Sequence, residues 1–110
     1  MTLARRAVVA CLSNCLAVAA AQGQDVPREL WDRPRTANAV LAEESIRQAV
    51  LTVLAKPDSR LVIRHATGQE PLLQAEELRS WLGSLAVDTR RIVLRGDLAA
   101  GAPIKLEVMQ

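Results

Sequence analysis

The first 21 residues, MTLARRAVVACLSNCLAVAAA, decide what is left to fold. Arg5 and Arg6 precede an uncharged, mostly apolar stretch over residues 7–18, and Ala19-Ala20-Ala21 supplies the small residues that a signal peptidase requires. The segment reads as a secretory signal peptide cleaved near Ala21. Its removal takes 21 of the 110 residues, leaves 89, and carries away both cysteines, Cys11 and Cys15. A chain of that size without a thiol has no disulfide to hold it. It must rely on one modest core, burying roughly 60 % of its unfolded surface.

Two other fates of the leader fit less well. An anchor that spans a bilayer needs about 20 apolar residues. The run here is shorter and stops at Gln22-Gly23-Gln24-Asp25. A lipoprotein signal would place Cys15 at the cleavage point behind a small residue, but Asn14 precedes it. The sequence therefore predicts a periplasmic or secreted protein that meets a membrane only through its signal peptide before cleavage.

Cleavage also changes the charge. The whole chain holds 14 basic and 12 acidic residues, and Arg5 and Arg6 account for the excess, so the mature domain is neutral. A neutral domain without a basic block lacks the electrostatic footprint of a nucleic-acid binder. The absence of cysteine beyond the leader argues against redox chemistry and thiol catalysis. With a single histidine, His65, a zinc site would need several carboxylates, and the adjacent pairs Glu43-Glu44 and Glu76-Glu77 do not face the same way on a helix. Neither a metal nor a cofactor is expected.

Residues 22–35 are polar and carry Pro27 and Pro34, which reads as an extended N-terminal segment with room for a short edge strand. Leu30 and Trp31 are its large apolar residues and are expected to tuck against the domain edge. Residues 36–110 read as a single α/β domain. Thr36 or Asn38 can cap a first helical turn over residues 39–42, and Ser45-Ile46-Arg47-Gln48 has the spacing of a capping box. Ile46, Ala49, Val50, Val53 and Leu54 then form one apolar stripe, and Lys56-Pro57 ends that helix.

Residues 60–64, RLVIR, form a strand rich in branched residues. Pro71 suits the first turn of a second helix, whose apolar stripe is Leu72, Ala75, Leu78, Leu82 and Leu85. Glu76, Glu77, Arg79 and Ser80 are expected to face solvent, with Trp81 beside the stripe. A second strand follows over residues 91–95. A third, residues 104–108, alternates apolar and charged residues as at a sheet edge. The order helix-strand-helix-strand-strand predicts an α+β two-layer sandwich, with a small mixed sheet whose first two strands are parallel across the helix.

The run from Lys56-Pro57 through Arg60–His65 and Gly68 to Trp81-Leu82 and residues 87–92 is similar to the OmpA-like carboxy-terminal domain of Gram-negative envelope proteins. The matching family pattern is a helix ending in an (N/K)P turn, a strand RLxIxGHTDxxG, a helix leading into YLxxxGVxxxRI, and a strand ending in glycine. The resemblance covers about residues 46–96. It implies a peptidoglycan-associated fold in which an aspartate after the His-Thr pair and an arginine of the second helix grip the stem peptide. Those positions fall here on Thr67 and Gln74. The resemblance thus implies a reduced member whose two charged contacts are absent.

Three readings follow. The first is a non-enzymatic interaction module serving envelope assembly or secretion, with Leu30, Trp31 and Arg33, or the open edge of the third strand, touching a protein partner. The second is a peptidoglycan or cell-wall binder with a ligand site rebuilt around Arg64, His65 and Thr67. The third, a small hydrolase, needs carboxylates converging on His65 and has no nucleophile at useful spacing.

Overall fold

The most apolar strand lies inside the sheet and the rest of the molecule is arranged on it. The computed structural model describes residues 23–110, so the segment expected to be a signal peptide lies outside the described residues. The strands are β1 (Gln24–Asp25), β2 (Arg60–Ala66), β3 (Ile92–Leu98) and β4 (Lys105–Met109), and they run in the spatial order β1-β4-β2-β3. Three helices, α1 (Ala37–Ala42), α2 (Glu44–Ala55) and α3 (Gln69–Leu85), precede or connect them. β2 pairs in parallel with β3 across α3, as the crossover predicts, and antiparallel with β4. The result is the expected α+β sandwich with a mixed sheet.

Register explains which residues are buried. Leu61 and Ile63 of β2 pair with Ile92 and Leu94 of β3 and with Val108 and Leu106 of β4. Because side chains alternate across a strand, this row shares one face. It packs on Ile46, Ala49, Val50 and Val53 of α2 and on Ala75, Leu78 and Leu82 of α3. The alternate row, with Val62, Arg64, Arg95, Lys105 and Glu107, forms the other face.

The third strand of the sequence reading is not an edge strand. β4 lies between β2 and β1, and the free edge on the far side belongs to β3. Its alternation has another cause: one face of the sheet carries the helices and the other is polar. β1 covers the outer edge of β4 only at Leu106 and Lys105. The N-terminal segment therefore joins the sheet and then departs from the extended reading, forming a 3₁₀ turn over Arg28–Asp32. Val26 and Leu30 of this segment are fully buried in the core.

Helix ends follow local chemistry. Thr36 Oγ1 accepts from the Ala39 N–H at 3.1 Å and caps α1. The capping box expected at Ser45 does not form. α2 begins earlier, with Glu43 at the cap and its carbonyl accepting from the Arg47 N–H at 3.0 Å. Ser45 thus lies inside the first turn with its hydroxyl buried and without a partner. Lys56 is extended before Pro57 and α2 stops there. Two expected core positions are corrected: Leu54 is 44 % exposed and Leu72 is 39 % exposed. Leu54 follows Val53 and so points about 100° round the helix from the buried row. Glu77, expected in solvent, is half-buried in an ion pair.

Candidate functional site

The three residues of the expected ligand site are not brought together. Arg64 and His65 are successive strand residues and so fall on opposite faces of the sheet. Arg64 lies on the polar face, where its Nε donates to Asp97 at 3.0 Å and its Nη1 to Glu107 at 2.8 Å. These bonds, to Glu107 first and Asp97 second, raise the Arg64 pKa, and the Asp97 carboxyl is held below its ordinary range by the same guanidinium. His65 is buried, with Nδ1 2.8 Å from the Ala66 carbonyl oxygen. Its ring lies over Gly96, where a Cβ would come within 2.9 Å of Cε1, so glycine is needed there for the ring to fit. Thr67 is exposed in the loop beyond. A site of Arg64, His65 and Thr67 is therefore corrected: one is ion-paired, one is packed, and one faces solvent elsewhere.

The partner-contact residues also separate. Leu30 is fully buried and presents nothing to a partner. Arg33 is exposed and reaches Glu43 at 3.3 Å. Trp31 is half-buried against the core, and its ring carries the Arg35 guanidinium 5.5 Å from the centroid. Arg35 forks onto Glu77 at 2.8 and 3.0 Å and also donates to the Trp31 and Arg33 carbonyls. Trp81 Nε1 donates to the same carboxylate at 3.2 Å. The hydrogen bond from Arg35 holds Glu77 below the usual carboxylate range against the opposing effect of burial. This cluster fastens the N-terminal segment to α3. Trp31 and Arg33 are the residues in it that sequence reading singled out for a partner contact.

A cavity of about 340 Å³ opens beside Trp31, at the carboxyl end of β2. The ends of sheet strands are a common place for ligand sites in α/β folds. Its floor and walls are Val26, Ile104, Pro71, Pro103 and Ala66, with Gly101 and Ala102 from the β3–β4 loop. Four polar side chains reach it: Arg28, Asp32, Glu70 and Gln74. Arg28 donates to the Gly101 carbonyl and so ties the 3₁₀ turn to that loop. Gly68, with φ of 119°, makes the sharp turn that brings β2 into α3 and sets Glu70 and Gln74 at this end of the helix. Sequence reading reached Gln74 by counting back from Trp81-Leu82. It did not bring Asp32, Glu70 and Arg28 to one site, for which the nearest signal was the cluster of turn residues Pro71, Gly101 and Pro103.

A second arginine links distant segments. Arg91 donates to the Val53 carbonyl at 2.6 Å, the Lys56 carbonyl at 2.8 Å and the Ser59 carbonyl at 3.0 Å. A cation there satisfies carbonyls at the end of α2 that have no partner within the helix.

Among the described residues no group of three or more His, Cys, Asp or Glu side chains could hold a metal ion, and no helix is long and apolar enough to cross a membrane. No family model matches the chain, and no curated protein or solved structure matches it either.

Proposed function

We propose that the protein is an exported, non-enzymatic interaction module on a reduced OmpA-like scaffold, acting through protein contacts in cell-envelope assembly or secretion. The kinship is supported by where the quoted pieces of sequence fall. The Lys56-Pro57 turn ends α2, residues 60–65 lie in β2, and Gly68 begins α3. Trp81-Leu82 lies in its last turns, and Arg91-Ile92 opens β3. The two outermost pieces, more than 30 residues apart, touch through the Arg91 bonds to Lys56 and Ser59.

The observation that carries the choice between protein and cell wall is the chemistry of the cavity. Gln74 lines it where the resemblance calls for an arginine, and Thr67 is exposed where it calls for an aspartate. A ligand with both an ammonium and a carboxylate would leave its carboxylate unpaired beside Asp32 and Glu70, and an unpaired desolvated charge costs several kcal/mol. The non-enzymatic part of the reading is supported by the pairing of titratable groups outside the cavity. Arg35 with Glu77, Arg64 with Asp97 and Glu107, and Arg90 with Asp88 bind one another, and His65 is buried against its own chain.

Two assays test this. Expression of the full chain in a Gram-negative host, followed by fractionation and amino-terminal sequencing, should place the product in the periplasm or medium beginning near Gln22. An intact leader in the cytosol would refute export. Sedimentation with purified peptidoglycan should leave the protein in the supernatant. Saturable co-sedimentation would establish the cell-wall reading in its place.

A further inference from the structure

The cavity beside Trp31 has a charge that the fold does not require. Asp32 and Glu70 are exposed at its lining and take part in none of the ion pairs or side-chain hydrogen bonds formed among the described residues. Arg28 lines the same cavity and keeps its charge while directed onto the Gly101 carbonyl, so the lining carries two carboxylates against one guanidinium. Of the other described carboxylates, Asp25, Glu43, Glu44, Glu77, Asp88, Asp97 and Glu107 have cationic partners, while Glu29, Asp58 and Glu76 are exposed away from the cavity lining. Two acids without an ion-pair partner thus line one cavity.

From this we infer that the cavity receives a lysine or arginine side chain presented by a protein partner. The inference rests on the protein-contact reading above and names what the partner must offer. Such side chains have an apolar stem and a charged head. Val26, Ile104 and Pro71 give the stem apolar surface, while Asp32, Glu70 and the Gln74 amide oxygen give the head acceptors. The indole of Trp31 is a further attraction for a cation over its face. Arg35 already holds one guanidinium 5.5 Å from that ring, and its grip on Glu77 fixes where the ring stands. The volume, about 340 Å³, exceeds one side chain and leaves room for its flanking peptide unit. A carboxylate-bearing ligand meets the opposite condition, two like charges against the one guanidinium of Arg28, which is directed onto the Gly101 carbonyl.

The test uses the two indole N–H signals of the purified protein in ¹⁵N NMR, titrated with the blocked amides of arginine, lysine and glutamate. The arginine and lysine amides should shift the Trp31 signal, leave the Trp81 signal in place and lose their effect at high salt. The glutamate amide should shift neither. D32N/E70Q, altered at two exposed positions, should keep the Trp81 signal and the melting temperature yet bind the cationic amides about tenfold more weakly. Equal response to the glutamate amide, an unmoved Trp31 signal, or unchanged affinity in D32N/E70Q would overturn the inference. A protein partner held equally well by wild type and D32N/E70Q would overturn the cavity assignment and leave the protein-contact reading standing. Co-sedimentation with peptidoglycan would sink that reading and is scored separately from the amide titration.

Discussion

Leu30→Ala is the substitution that most directly tests whether the N-terminal segment belongs to the fold. Leu30 is fully buried, and it shares the core with Val26, Val40, Ile46, Leu78 and Leu82. Truncating a buried leucine costs the transfer free energy of the lost methyl groups plus the cavity left behind, about 3 kcal/mol at a well-packed site. A domain of roughly 90 residues is stable by only about 5–13 kcal/mol. The variant should therefore lose roughly a quarter to three-fifths of its stability. At about 4–8 °C per kcal/mol for this size, the melting temperature falls by roughly 12–24 °C. Leu51→Ala is the control: Leu51 is 57 % exposed, and its loss should move stability by no more than about 0.5 kcal/mol. Urea unfolding followed by circular dichroism measures both. If Leu30→Ala and Leu51→Ala unfold at the same urea concentration, the segment does not pack as described, and a domain beginning near residue 36 would be the better account.

Arg91→Ala removes the guanidinium donors from the carbonyls of Val53, Lys56 and Ser59, leaving Lys56 with the Ser59 N–H and hydroxyl, and should cost about 2 kcal/mol in urea unfolding, with Arg91→Lys recovering only part of it because the forked geometry is lost. Gly96→Ala places a methyl group 2.9 Å from the His65 ring and should destabilise by about 1–3 kcal/mol, with a displaced His65 ring signal in NMR. Asp88 is held down to about 2 by the Arg90 side chain first and the Arg90 backbone N–H second. Its folded pKa lies below its unfolded value of about 3.9, so its contribution is complete above that value and is lost as pH falls towards 2. Asp88→Asn keeps a capping oxygen but no charge, and the urea midpoint of the variant should fall less than that of wild type between pH 4 and pH 2. An identical decline in both would show that other carboxylates govern acid unfolding.

The fold was legible because its signals are local and repeated. The stripe from Ile46 to Val53, the stop at Lys56-Pro57 and the branched run in β2 follow from local spacing, and the parallel crossover from the strand-helix-strand order. What spacing could not show was pairing between distant segments. The short edge strand allowed within residues 22–35 forms at Gln24-Asp25, but nothing near it says that its partner is β4, and that pairing takes β4 off the edge. Nothing near Glu77 says that Arg35, 42 residues earlier, will hold it. The candidate site failed for a simpler reason. Arg64, His65 and Thr67 are neighbours in sequence, but a strand sends successive side chains to opposite faces, so proximity along the chain argued against a shared site.

The same separation explains how a neutral domain can select a cationic partner. Arg28, Arg35, Arg64 and Arg91 are fasteners, bonded to carbonyls or carboxylates that hold strands, helices and loops in place. The charges of Arg35 and Arg64 are offset by Glu77, Asp97 and Glu107 where they sit. Each arginine engaged elsewhere in the fold is one fewer counter-ion for Asp32 and Glu70, the acids left at the cavity. At physiological ionic strength a charge is felt over about 8 Å, so a partner at Trp31 responds to those two carboxylates and hardly at all to the balanced total. Reversing the local charge with Glu70→Lys, which changes the domain's net charge by only two units, should therefore abolish binding of the arginine amide. Adding the same two charges on the far side of the sheet, by Glu107→Lys, should leave it unchanged.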